Sequence, residues 1–351
     1  MKALIAPDSF GDTLTAVAAA EAIAAGWTLG RPADELSLVP QSDGGPGFVA
    51  VLASRFGDVQ TTRVSGPLGA LVSAHWLLDR REGRTVAYIE CAQACGLHQL
   101  GGLPTPRTAL AADTFGVGEL VAAAVAAGAD QIVVGLGGSG STDGGRGLIE
   151  GLGGLAEAAR LLGPVQLVAA SDVENPLLGP EGAAAVFGPQ KGADPATVAM
   201  LEEGLSDWAQ VLSGLAGRDI SGEQGAGAAG GLGAALLALG AERVPGATVI
   251  AEATGQAELI AGVDLLITGE GKCDEQTLKG KVVAALTTAA RGRGIPTIVL
   301  AGQVALTPAQ LAEAGITQAR SIVEVAGSVQ VAMDDAENQL KELARQVAEA
   351  W

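Results

Sequence analysis

Acids, hydroxyls and lysines stand beside glycine again and again in this chain. Six segments carry the pattern: Pro7-Asp8-Ser9-Phe10, Ser42-Asp43-Gly44-Gly45, Gly137 through Gly145, Ser171-Asp172-Val173-Glu174-Asn175-Pro176, Gly269-Glu270-Gly271-Lys272-Cys273-Asp274 and Ala301-Gly302-Gln303. Carboxylates hold a hard cation such as Mg²⁺ through oxygen, while glycine-rich backbone offers N–H groups to phosphate oxygens. Together they suit phosphoryl transfer, which needs positioning, charge neutralisation and a base for one hydroxyl proton. The chain has six lysines; Lys272, Lys279 and Lys281 cluster, and Lys191 sits in Gly188-Pro189-Gln190-Lys191-Gly192. Lys191 and Lys272 are the expected partners of transferring or bound phosphate. Each acid has a plainer alternative role as a turn or helix cap.

Other chemistries fit less well. Gly135-Leu136-Gly137-Gly138-Ser139-Gly140 matches a dinucleotide fingerprint, but no acid ends a strand about 20 residues on, and Asp143 lies inside the loop. There is no GxxxxGK[ST] loop, no protein-kinase motif set and no GxSxG elbow. His75 reads as structural and His98 as solvent-exposed. Cys91, Cys95 and Cys273 have neither metal-site nor disulfide spacing. A net charge of −18 repels nucleic acid and anionic membranes, so no nucleic-acid or membrane partner is expected. The start is too short for a signal peptide, and the run Gly225 to Ala241 is too short and weakly apolar to span a bilayer. The expected location is cytoplasmic.

The elements that must carry these loops show a βα rhythm at both ends. Short apolar runs at Lys2–Ala6, Glu35–Val39, Val263–Thr268, Pro296–Ala301 and Ser321–Val325 read as strands. Helices follow them, the first capped by Thr13 and the last spanning about Asp334–Glu349. Five such units imply a flavodoxin-like, doubly wound five-stranded parallel sheet. Between the ends, Val59–Val64, Leu71–Asp79 and Thr85–Glu90 read as an antiparallel meander. Strands at Gln131–Val134 and Val165–Ala170, a polar helix over Pro195–Ser213 and a glycine-alanine tract follow. The expected organisation is an α/β domain of residues 1–61 and 262–351, with a second α/β domain of mixed sheet, 62–261, inserted into it. The active site would lie in the cleft between them.

Taken together, the segments resemble the bacterial class of glycerate kinases that makes 2-phosphoglycerate. The resemblance rests on Ile5 to Phe10, Ser42 to Gly45, Gly137-Gly138-Ser139 with Asp143-Gly144-Gly145, Ser171 to Leu177, Phe187 to Gly192, Gly225 to Gly231, and Ile267 to Gly271 with Asp274 and Gln276-Thr277. These run in family order from residue 5 to about 302. The chain departs at Gly11-Asp12, where Lys-Gly is usual, at Pro46, where Glu is usual, and at Lys272-Cys273, where Arg-Ile is usual. The stretch from Gly147 to Val165 is also short. Losing a lysine and gaining Asp12 removes a charge that could hold a carboxylate or phosphate.

The resemblance implies ATP-dependent phosphorylation of D-glycerate, with ATP and Mg²⁺ bound. Asp43, Asp172 and Asp274 are the expected catalytic carboxylates, Asp172 and Asp274 also the expected Mg²⁺ ligands, and Lys191 and Lys272 the expected catalytic cations. Asp8, Ser9, Gly44, Gly45, Gly137, Gly138, Ser139, Asp143, Gly269, Glu270 and Gly271 are expected to bind substrate or nucleotide. Arg107 is a candidate for a substrate carboxylate. The partner is a small hydroxy acid, and a homodimer is left open. The rival readings are a kinase of another small hydroxy acid, a non-catalytic small-ligand sensor on the same scaffold, and a dinucleotide oxidoreductase.

Overall fold

The computed structural model describes residues 1–278 and 282–351; Lys279 and Lys281 lie outside the described residues. Eleven strands follow one another along them: β1 (Lys2–Ile5), β2 (Glu35–Leu38), β3 (Asp58–Ser65), β4 (Leu71–Asp79), β5 (Val86–Glu90), β6 (Gln131–Gly135), β7 (Gln166–Ala170), β8 (Glu242–Val244), β9 (Leu265–Cys273), β10 (Thr297–Val304) and β11 (Gln318–Ser321). The chain divides into two compact units. One comprises residues 1–42, 50–55 and 247–351, the other residues 43–49 and 56–246.

In the first unit the strands lie in the order β2-β1-β9-β10-β11, all parallel. This is the flavodoxin-like order expected from the two ends of the sequence. The sheet is covered on both faces, so β1 is apolar at successive positions. Ala3 and Ile5 pack into a core with the helices Ala16–Gly30 and Ala336–Ala350, while Leu4 and Ala6 pack with Leu286 and Ala290 of the helix Val282–Arg291.

With so few aromatic residues, 3% of the chain, the helices must approach closely. Ala16–Gly30 lies against Ala336–Ala350, and a Cβ placed on Gly26 would stand 2.0 Å from the Lys341 carbonyl oxygen. On Gly30 it would stand 2.8 Å from the Ala348 Cβ.

The second unit holds a mixed sheet in the order β3-β4-β5-β6-β7-β8. The pairs β3–β4 and β4–β5 are antiparallel, as the meander predicts, and β5 to β8 run parallel. Helix Phe115–Ala126 covers one face with Val117, Leu120, Val121 and Ala124 fully buried. One stretch, Pro106–Ala126, has the length and composition of a membrane span, and half of it is buried within the fold.

Several expectations need correction. The boundary at 61/62 would cut β3, which pairs along its whole length with β4 and belongs to the second unit. Residues 247–261, expected in the inserted domain, belong to the first unit, where Ile260 joins the core beside Leu4 and Leu266. The segment Ser321–Val325 is not a strand: β11 ends at Ser321, whose side chain caps the helix Ile322–Ala326 by accepting the Glu324 N–H. The first helix is capped by Thr15, not Thr13. The glycine-alanine tract forms the buried helix Ala228–Ala238, with Ala229, Gly230 and Gly231 in left-handed conformation.

Two substitutions test the close packing. Gly26→Val should destabilise the protein by at least about 1 kcal/mol through overpacking. Gly204→Ala, inside helix Pro195–Ala216 with open space around it, should stabilise it by about 0.5–1 kcal/mol. Urea unfolding midpoints read both.

Candidate active site

Within the second unit the site is built on the carboxyl end of β6, where Gly135 gives way to the loop through Gly145. The loop is tied down by backbone. Gly137 N–H donates to the Gly44 carbonyl (3.0 Å), Leu97 N–H to Gly138 (2.9 Å), Gly140 N–H to Cys95 (2.7 Å) and Gly144 N–H to Gly230 (3.0 Å). A Cβ on Gly137 would stand 2.3 Å from Gly45 Cα, and one on Gly138 2.6 Å from Pro46 Cγ. Gly138 also has φ +74°, a region open to glycine and costly for other residues. The Asp43-Gly44-Gly45 segment thus lies backbone to backbone on the loop. A Cβ on Gly44 would meet the Ala170 carbonyl at 2.8 Å, where β7 ends and Ser171-Asp172 begins. Asp43, Asp172 and the Gly137–Ser139 backbone therefore share one end of the sheet.

Lys191 enters from the 3₁₀ turn Pro189–Lys191 and is only 2% exposed. Its Nζ donates to Ser139 Oγ (2.9 Å) and to the Ser141 carbonyl (2.5 Å). Among the described residues no carboxylate lies within ion-pair distance of this ammonium. Burial pulls its pKa down from the usual lysine range to about 8; Cys95, Cys91 and Asp143 nearby oppose the shift. Beside it opens a hollow of about 250 Å³, with Gly137, Gly138, Ser139, Gln190 and Lys191 among its walls. Ser141 Oγ and Thr142 Oγ1 are buried without a hydrogen-bond partner among the described residues.

Asp143 has another task. One carboxylate oxygen accepts from Thr114 N–H (2.9 Å), Thr114 Oγ1 (2.7 Å) and Gly147 N–H (2.9 Å), and the other from Gly145 N–H (3.1 Å). It joins the loop to helices Phe115–Ala126 and Arg146–Gly151, the capping role open to any acid after a strand.

Sequence reasoning passed over two residues here. Glu90, at the end of β5, is 3% exposed, and Oε2 accepts from Gly47 N–H (3.0 Å) and Val49 N–H (3.4 Å), holding the segment that follows Asp43. Burial raises its pKa. Its one signal was an acid closing the apolar run Val86 to Ile89. Arg243, closing β8 with Val244, donates to the Ser171 carbonyl (3.3 Å) and pairs with Glu174 (3.5 Å). It left no motif, because β8 itself was not expected.

The first unit gathers the remaining residues at the carboxyl ends of β1 and β9. Asp8 N–H donates to the Gly269 carbonyl (2.8 Å), and Ser9 N–H to Asp8 Oδ1 (2.7 Å). A Cβ on Gly269 would meet the Leu300 carbonyl at 2.1 Å, and a Cβ on Gly302 the Gly271 carbonyl at 2.3 Å, so β9 and β10 stay paired out to Cys273 and Val304. Thr277 Oγ1 donates to Glu270 Oε1 (2.7 Å) and accepts the Asp274 N–H (2.9 Å). Asp274 accepts the Gln276 N–H (2.9 Å) and pairs with the Lys272 ammonium (3.1 Å). Arg107 stands elsewhere, on a separate hollow with Leu68, Thr108 and Asp113. His75 bonds Thr61 across β3 and β4, and His98 is exposed.

The glycerate kinase family model matches residues 3–162 and 155–351. The chain belongs to the glycerate kinase family. Members of this family are ATP-dependent kinases of small molecules, and this chain is one of them. It is 59% identical to an uncharacterized protein of Mycobacterium bovis, covering 99% of this chain and 91% of that one. It is 36% identical to glycerate 2-kinase of Escherichia coli, covering 99% and 97%. A crystal structure from Salmonella typhimurium, of a protein proposed to be glycerate kinase 2, superposes with a TM-score of 0.79 at 32% identity, covering 100% of this chain and 98% of that one. The family's glycine-acid motifs thus fall at strand ends in both units.

Asp143→Ala should leave the Thr114, Gly145 and Gly147 donors without their acceptor and destabilise this glycerate kinase family member by about 2–3 kcal/mol. Asp143→Asn should cost less. The urea midpoint of each variant gives the measurement.

Proposed function

We propose that the protein phosphorylates D-glycerate with ATP, giving 2-phosphoglycerate and ADP. Family membership carries this reading, together with the similarity to the glycerate 2-kinase of Escherichia coli. The placement of Asp43, Asp172 and Lys191 at one sheet end, and of Asp8, Glu270, Lys272 and Asp274 at another, supports it. The two groups would act on one reaction. The acceptor hydroxyl oxygen forms a bond to the γ-phosphorus as the bond to the β–γ bridging oxygen breaks. ADP leaves, and one of Asp43, Asp172 and Asp274 takes the hydroxyl proton. Lys191 and Lys272 neutralise anionic ligand oxygens, while Ser9 and the Gly137–Ser139 backbone orient them.

Among the described residues, no three His, Cys, Asp or Glu side chains converge as a metal cage. Mg²⁺ that travels with a nucleotide needs only one or two carboxylates besides phosphate and water. Asp172 and Asp274 are the carboxylates we assign to that role, and the ion would supply positive charge to the phosphates when bound. The acidic surface argues against nucleic-acid and membrane partners, and a cytoplasmic enzyme that acts alone or as a homodimer accords with the reading.

ADP formation should appear with D-glycerate in a panel of small hydroxy acids given ATP and Mg²⁺; turnover confined to a different acid would reassign the substrate. Asp172→Asn should lower kcat by about 10²-fold or more. The rate at subsaturating acid should also fall as pH rises through about 8, because Lys191 then gives up the proton that makes it a cation. A flat profile from pH 7 to 9 would remove Lys191 from ligand binding.

A further inference from the structure

The surroundings of Lys191 specify more than an anion. Its ammonium is nearly closed off from solvent, yet its two hydrogen-bond partners are a hydroxyl and a carbonyl, both neutral. A buried charge with no counter-charge is costly to maintain. Among the described residues, the carboxylate that acts on it from the packed loop, Asp143, is already held by four N–H and O–H donors. Cys91 and Cys95, also near it, are buried thiols.

The hollow beside Lys191 bears on the ligand's size and charge. At about 250 Å³ it falls below the range of roughly 300–1,000 Å³ typical of drug-sized ligands, so it suits a molecule of a few carbons. One side is apolar, with Leu136, Val173 and Phe187, and among the described residues no carboxylate lines it. A triphosphate brings several negative charges and a divalent cation that seeks carboxylate oxygens. A carboxylate brings one negative charge, which one ammonium balances.

We propose that Lys191, held by Ser139, binds the carboxylate of the acceptor, so that the hollow in the second unit selects small hydroxy acids over neutral polyols, and the nucleotide phosphates bind elsewhere. Lys191 is then a specificity-determining residue and not, as its glycine-flanked position suggests, a phosphate ligand. The proposal rests on the kinase reading for the identity of the acceptor, and the test separates the two.

Calorimetric titration with D-glycerate and with glycerol, in the presence of Mg²⁺ and a non-hydrolysable ATP analogue, addresses the wild-type protein directly. Glycerate should bind and glycerol should bind at least about 10-fold more weakly, the loss expected for a charge-assisted hydrogen bond. Lys191→Met should weaken glycerate by about 10- to 100-fold and leave affinity for the ATP analogue within about twofold. Ser139→Ala, which keeps the ammonium, should weaken glycerate by a smaller factor and guards against a misfolded Lys191 variant. Equal binding of glycerol and glycerate by the wild type, or no binding of glycerate, would overturn the proposal. So would a Lys191→Met protein that loses the nucleotide and keeps the acid. If glycerate binds through Lys191 but no ADP forms with any acid, the carboxylate site stands and the kinase reading falls.

Discussion

Backbone lies directly on backbone where Gly45 meets Gly137, and the second unit's site depends on that contact. No side chain fits between the two segments, so the loop after β6 and the segment carrying Asp43 settle at the separation their peptide groups dictate. Hydrogen bonds then fix the register, Gly137 N–H donating to Gly44 on one side and Leu97 N–H donating to Gly138 on the other. The acids and Ser139 are thereby presented by rigid peptide units rather than by long side chains, which loses less conformational entropy when a ligand binds.

A second constraint is electrical. A protein of net charge −18 that handles anions must concentrate positive charge locally. Lys191 is a cation whose hydration has been stripped away and whose remaining partners are neutral oxygens. In low-dielectric surroundings such a cation attracts an anion more strongly than an exposed one. Lys272 is its opposite: largely exposed and already paired with Asp274, it interacts weakly with anything further away.

Much of the fold was legible because the parallel sheet of the first unit is covered on both faces, leaving short unbroken apolar runs such as Ala3 to Ile5 that alternation cannot disguise. The antiparallel meander showed itself through turn residues at Gly66-Pro67-Leu68-Gly69. β8 escaped notice because a three-residue edge strand, Glu242–Val244, has no room for a pattern. β11 was displaced because Ile322, Val323 and Val325 look like strand residues, while the cap made by Ser321 turns them into a helix. Of the site, glycine-flanked positions were readable and supporting ones were not. Asp143 looked like a ligand because an acid in a glycine loop is the same text whether it faces solvent or caps a helix; its four donors come partly from Thr114, distant in sequence. Glu90 was hidden for the same reason.

The first and last long helices, Ala16–Gly30 and Ala336–Ala350, close on each other through Gly26 and Gly30, and β1 lies between β2 and β9. Residues 56–246, by contrast, form nearly all of their unit without interruption. During synthesis on the ribosome the internal unit therefore has its own complete core once residue 246 has emerged, while the amino-terminal strand waits, half-paired, for a neighbour made much later. Sequence-distant pairing of this kind is slow to form. Until β9 is made, the open edge of β1 needs protection from aggregation.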